Sequence, residues 1–126
     1  MGKPLNKFLY WLPAILYMAL IFYLSSRPAA SLVKSMPILL GFKLVHIVEY
    51  GFLFYLIRFA LLRTTALKSA HLFFVALELT VIYGLTDELH QVFVPFRTGN
   101  LLDAFVNGVG AVVVQAGILL RARRRI

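Results

Sequence analysis

Four long apolar runs separated by short polar breaks divide the chain: Phe8 to Leu24, Leu44 to Leu62, Leu72 to about Val94, and Leu101 to Leu120. Each approaches the roughly 20 residues a helix needs to cross a bilayer core at about 1.5 Å per residue. The pattern predicts an all-α, polytopic membrane helix bundle of about four transmembrane helices, one domain over residues 1–126. Lys3 and Lys7 lead into the first run, where Tyr10 and Trp11 fall at headgroup depth. Pro13 lies near its start, where a proline costs a helix least. Arg58, close to the end of the second run, can snorkel to the interface. Pro95 stops the third run and an arginine tail stops the fourth. Between the first two runs, Arg27 to Lys43 is apolar in patches but broken by Pro28 and Pro37. It is too interrupted to span, and a loop with a short interfacial helix is expected there.

Composition supports lipid as the solvent: 61% of residues are hydrophobic and 14% charged, against about 45–50% and about 25% in soluble domains. The net charge of +8 would suggest nucleic acid in a soluble protein. Here the basic residues lie in loops and tails, where they set topology and meet anionic headgroups. The bilayer is therefore the expected partner, and no nucleic acid is. Lys3, Lys7, Arg63, Lys68, Arg121, Arg123, Arg124 and Arg125 fall on the side of the termini, and Arg27, Lys34, Lys43 and Arg97 on the other. The positive-inside rule then makes this a multi-pass cell-membrane protein with both termini cytoplasmic. The absence of cysteine excludes disulfides, thiolate nucleophiles and zinc–thiolate sites. Ser25-Ser26-Arg27-Pro28 after the first run gives no clear cleavage signal, so that run reads as a span.

Four of the five carboxylates fall near the same ends of three helices. At the outer start of the second span, His46, Glu49 and Tyr50 share a face at i, i+3 and i+4. Asp87, His90 and Gln91 repeat that spacing at the outer end of the third, with Glu88 beside them, and Asp103 and Asn107 are i and i+4 at the outer start of the fourth. Ranked by helical rise, His46, His90, Gln91 and Asp103 form a shallow layer, and Glu49, Tyr50, Asp87 and Asn107 lie about one turn deeper. One shared polar pocket open to the outside is expected, with Arg97 leaning over it from the third turn to pair with Asp87 or Asp103. Intramembrane ionisable residues are functional candidates by default. The plainer reading is a hydrogen-bonded glue between helices at about 0.6 kcal/mol per bond, but these polar groups are more numerous than helix association needs. His46/Glu49 and Asp87/His90 have the spacing of metal-ligand pairs. Nothing fixes a metal geometry, so neither a bound metal nor a cofactor is expected. Ala104 with Gly108 and Asn107 with Ala111 give small-residue spacing suited to close helix packing. Glu78 and His71 face away from the pocket, toward an oligomer contact or a cytoplasm-facing polar path.

At these residues the chain resembles the VanZ-like family of bacterial integral membrane proteins. The resemblance rests on Phe22-Tyr23-Leu24-Ser25-Ser26, on Lys43, His46, Glu49 and Tyr50, on the run Tyr83 to Gln91, on Val94-Pro95-Phe96-Arg97, and on Asp103, Asn107 and Gly110. Phe42 stands where the family pattern usually has Asp, and Phe96 where it usually has Gly, which should stiffen the turn around Arg97. The resemblance implies a cell-envelope membrane protein, in a family whose founding member is associated with resistance to the glycopeptide teicoplanin.

The leading expectation is a non-enzymatic protein binding an outer-leaflet ligand in the polar pocket: a lipid-linked wall precursor, a lipid headgroup or a glycopeptide. The rival is a membrane-embedded enzyme using His46, Asp87, Glu88 and His90 as acid, base or metal ligands on a lipid-linked envelope substrate. A proton-coupled transporter is the third reading, for which Glu78 alone speaks.

Overall fold

A computed structural model of the chain describes residues 6–27, 38–97 and 99–126. Residues 28–37, which hold most of the expected interfacial segment, lie outside the described residues, as do Lys3, Thr98 and the Phe42 side chain. Four helices follow in order: α1 (Lys7–Ser25), α2 (Ile38–Thr64), α3 (Ser69–Val92) and α4 (Leu101–Arg123). All four are long and apolar enough to cross a membrane, as the apolar runs require. The boundaries follow local chemistry. Asn6 and Asn100 cap α1 and α4 by accepting from the Phe8 and Leu102 amides, supplying acceptors for amides that lack intrahelical partners. Arg121 and Arg123 fall in the last turn of α4, where positive charge suits the carbonyl end of the helix.

Two expectations need correction. The second helix begins at Ile38, not Leu44, so Ile38 to Lys43 extends α2 and belongs to no separate interfacial element. After Pro37 the sequence Ile38-Leu39-Leu40-Gly41-Phe42 contains no proline, its single glycine is tolerated inside a helix, and the apolar pattern continues into the span. Pro13 is the seventh residue of α1, past the first turn, so it removes one hydrogen bond from the helix interior instead of occupying a free position.

α2 is the central element, packing on each of the other three helices, whereas α4 packs on α2 and α3 but not on α1. Tyr50, Leu53, Phe54, Ile57, Ala60 and Leu61 line its buried side at helical spacing. The facing stripes are built from small residues: Ala76, Thr80 and Gly84 on α3, and Ala104, Gly110 and Ala111 on α4. In lipid, helix association depends on such close packing, because burying apolar surface from lipid tails gains little. The closest approach is between α2 and α4. A Cβ on Gly110 would collide with the Ile47 carbonyl oxygen and lie 3.0 Å from the Gly51 nitrogen. α1 is held differently, with three tyrosine and tryptophan contacts across its length. Tyr17 donates to the Glu49 carbonyl (3.2 Å), Tyr83 donates to the Met18 carbonyl (2.5 Å), and Trp11 Nε1 donates to Thr64 Oγ1 (3.3 Å). Glu78 and His71 are exposed on the outward side of α3, as their angular positions require.

Gly110→Ala forces α2 and α4 apart and should lower stability by about 1–3 kcal/mol, the usual scale of overpacking. Gly117 meets nothing within 4 Å, so Gly117→Ala should leave stability level or slightly raised. Unfolding of both variants in detergent checks this, and equal stability would contradict the tight crossing.

Candidate functional site

The polar residues gather where α1 and α3 end and α2 and α4 begin, and among the described residues they form two adjoining hydrogen-bonding sets. The first centres on Asp87, which is 4% exposed. Its Oδ1 accepts from Ser25 Oγ of α1 (2.6 Å), and its Oδ2 accepts from the Tyr50 hydroxyl of α2 (3.0 Å) and from Gln91 Nε2 one turn along α3 (3.0 Å). Three helices therefore donate to one buried carboxylate. Hydrogen bonding of this kind lets a charged group persist out of water.

The second set lies between α2, α3 and α4. His46, Glu88 and Asp103 each place one donor atom within 4.8 Å of the other two. Asn107, one turn below Asp103, is fully buried and adjoins the His46 ring. Its amide nitrogen also presses on Gly84, where an added Cβ would stand 2.7 Å away. Glu88 is 3% exposed and turns one oxygen to the Asn100 amide (2.9 Å), which fixes the α3–α4 turn. Gly99 in that turn sits so close to the Glu88 carbonyl that no Cβ fits. The contrast with the first set lies in what is left over. Glu88 Oε1, His46 Nδ1 and both amide atoms of Asn107 are buried with no hydrogen-bond partner among the described residues. Such groups are costly unless something else satisfies them.

The remaining candidates lie around these sets. Glu49 lends its backbone carbonyl to Tyr17, and its half-buried side chain hydrogen-bonds neither set among the described residues. His90 turns to α1, stacking on Phe22 with ring centroids 4.2 Å apart and lying 3.5 Å from both Ser25 Oγ and Ser26 Oγ. Arg97 does not pair with Asp87 or Asp103. Its Nε donates to the Arg27 carbonyl (2.7 Å) and its Nη2 to the Leu24 carbonyl (3.2 Å), so it caps the end of α1. Carbonyls that lack partners at a helix C-terminus attract a guanidinium strongly. Ser25 is the residue the sequence reading left out of the site. Its position on the same level as the carboxylates was visible, but its partner was not. Ser25 donates straight to Asp87 with no imidazole between them, so the three side chains do not form a Ser–His–Asp relay.

A family model described as VanZ/LLP1 matches residues 9–121, nearly the whole chain. The chain belongs to the VanZ/LLP1 family. No curated protein and no solved structure matches it. In this VanZ/LLP1 protein the turn residue Phe96 has φ 64°. That left-handed conformation favours glycine and costs a residue with a Cβ about 1–2 kcal/mol. The departure at Phe96 therefore strains the turn as well as stiffening it, and leaves the ring 87% exposed.

Replacing Asp87 separates charge from hydrogen bonding. Asp87→Ala removes all three bonds and should cost about 2 kcal/mol, at about 0.6 kcal/mol each. In Asp87→Asn the remaining oxygen keeps Tyr50 and Gln91, and Ser25 turns its hydroxyl to the Phe22 carbonyl at 3.0 Å. That variant should unfold within about 1 kcal/mol of the wild type. Equilibrium unfolding in detergent distinguishes the two.

Proposed function

We propose that this VanZ/LLP1 protein binds an amphiphilic, lipid-linked ligand of the cell envelope. Its polar head lies at His46, Glu88, Asp103 and Asn107, and its chain lies along α4. The observation that carries this reading is the adjacency of two unlike surfaces on α4. Asp103 and Asn107 face the second polar set, while Ala104 and Gly108, each next to one of them in sequence, line an apolar groove of about 450 Å³. Leu77 and Val81 of α3 form the opposite wall, and the groove continues past Val109 and Val112 toward the other end of the bundle. Unsatisfied polar atoms beside an apolar slot suit a ligand with a hydrogen-bonding head and a hydrocarbon tail. The association of the VanZ-like family's founding member with teicoplanin resistance supports an envelope ligand, with a wall precursor or lipid headgroup favoured over the glycopeptide itself.

Binding is favoured over turnover because both serines at the polar end are engaged, Ser25 buried and donating to Asp87 and Ser26 donating to the Phe22 carbonyl. The polar end faces outward on this reading, since eight lysines and arginines lie on the side of the termini against four on the other.

Two experiments test the proposal. The chain has no cysteine, so Phe96→Cys should label from outside intact cells and Ala66→Cys only after permeabilisation. Labelling of both from one side, or the reverse pattern, contradicts the orientation. Native mass spectrometry of protein extracted with its lipids should show a retained lipid-linked species. Asp103→Asn and Gly108→Leu, which alter the head site and fill the groove, should lose it. Identical lipid profiles in all three proteins would defeat the reading, and retention of added teicoplanin without any lipid would replace it with direct glycopeptide binding.

A further inference from the structure

Glu88 and Asp103 bring two carboxylates together beside one imidazole, on three different helices. Among the described residues, no lysine or arginine pairs with either acid. Arg97, the cation of the α3–α4 turn, is occupied with the carbonyls of Leu24 and Arg27. Two nearby acidic groups in a low-dielectric site need compensation, and a partner of positive charge is the usual form. The second observation is independent of the charges. Glu88 is 3% exposed and leaves Oε1 without a partner, and His46 Nδ1 is likewise buried and unpartnered. The amide of Asn107, fully buried beside the His46 ring, lacks any partner for its oxygen as well. In a site that only glued helices together, these atoms would be bonded to one another. The Asn107 amide contacts the His46 ring, yet Glu88 Oε1 and His46 Nδ1 are left without a partner among the described residues.

We propose that His46, Glu88 and Asp103 bind a divalent first-row cation, with the Asn107 amide oxygen as an additional donor. The donor set selects the class of ion. Imidazole suits Zn2+ and its neighbours, carboxylate and amide oxygens suit harder ions such as Mn2+, and a mixed nitrogen–oxygen set takes either, Zn2+ more tightly. Two donors of a tetrahedral zinc site stand about 3.3 Å apart at bond lengths of about 2.0–2.1 Å. The three donor atoms, within 4.8 Å of one another, need to draw together by at most about 1.5 Å. Rotation of the Asp103 and His46 side chains supplies that movement, since both are half-buried, no hydrogen bond holds the Asp103 carboxylate among the described residues, and His46 Nδ1 is unpartnered. Glu88 is the fixed ligand, held through its other oxygen by Asn100, the kind of outer contact that orients metal-binding carboxylates. The ligands thus come from three helices, and not from the i, i+3 pairs His46/Glu49 and Asp87/His90. Asp87 already accepts three hydrogen bonds, and Glu49 lies outside the cluster. The inference goes beyond the lipid-binding reading and does not need it, because occupancy is measured on the purified chain without any envelope ligand.

Protein purified without chelator is analysed for metals, then stripped and titrated with ZnCl2 and MnCl2 by calorimetry. The expected result is saturable binding of about one ion per chain, weakened at least about tenfold in Glu88→Gln and in Asp103→Asn. His71→Asn, at an exposed histidine away from the polar end, should bind as the wild type does. A variant that fails to fold is replaced by His46→Asn, which removes the imidazole donor. Absence of saturable binding of either ion overturns the proposal. So does binding that persists undiminished in the folded site variants, or that His71→Asn abolishes.

Discussion

The structure depends on one buried carboxylate. Asp87 lies at the end of a membrane helix where water is scarce, and a charged group there persists only if donors surround it. Ser25, Tyr50 and Gln91 supply them. This requirement fixes the end of α1 against α3 and turns Tyr50 fully inward. It also sets the orientation of the next residue, because successive side chains on a helix are about 100° apart. With Asp87 committed toward α1 and α2, Glu88 turns toward the seam between α2 and α4, where it meets His46 and Asp103. One residue step on α3 therefore separates a saturated polar set from an unsaturated one.

Close packing of small residues beside the apolar core on α2 places these polar groups. Small residues recur along the buried stripes of α3 and α4, and the parallel helices α2 and α4 touch backbone to backbone at Gly51 and Gly110. Close approach brings Asn107 beside Gly84 and the His46 ring, where larger residues would hold the helices apart. α1 is the outlying helix. Its fully buried residues are Ala14, Ile21 and Ser25, and hydroxyl, indole and guanidinium contacts along its length supplement that small area.

The apolar runs showed the four helices in the sequence, because a bilayer sets both their length and their character. Helical periodicity also showed that the polar residues cluster at one end and which of them share a face. It did not show which neighbour each face meets. His46 and Tyr50 share a face of α2, yet Tyr50 reaches Asp87 while His46 stands with Glu88 and Asp103. Arg97 was legible as a cation near acids, but the carbonyls at the end of α1 compete for it and win. Backbone acceptors carry no sequence signature, so that outcome had no signal to find. The strain at Phe96 was foreshadowed by a family pattern that usually has glycine there, though only the backbone angle identifies its cause.

The polar end divides into two sets: Asp87 accepts from three helices, and the cluster beside it leaves Glu88 Oε1, His46 Nδ1 and the Asn107 amide without hydrogen-bond partners among the described residues. A double-mutant cycle between Ser25→Ala and Asp87→Ala, read by reversible unfolding in detergent, tests that division at its root. The account requires a coupling of about 0.6–1.7 kcal/mol, the range of strong hydrogen bonds between membrane helices. Additive effects with no coupling would show that α1 is not held by the Asp87 carboxylate and would contradict the account.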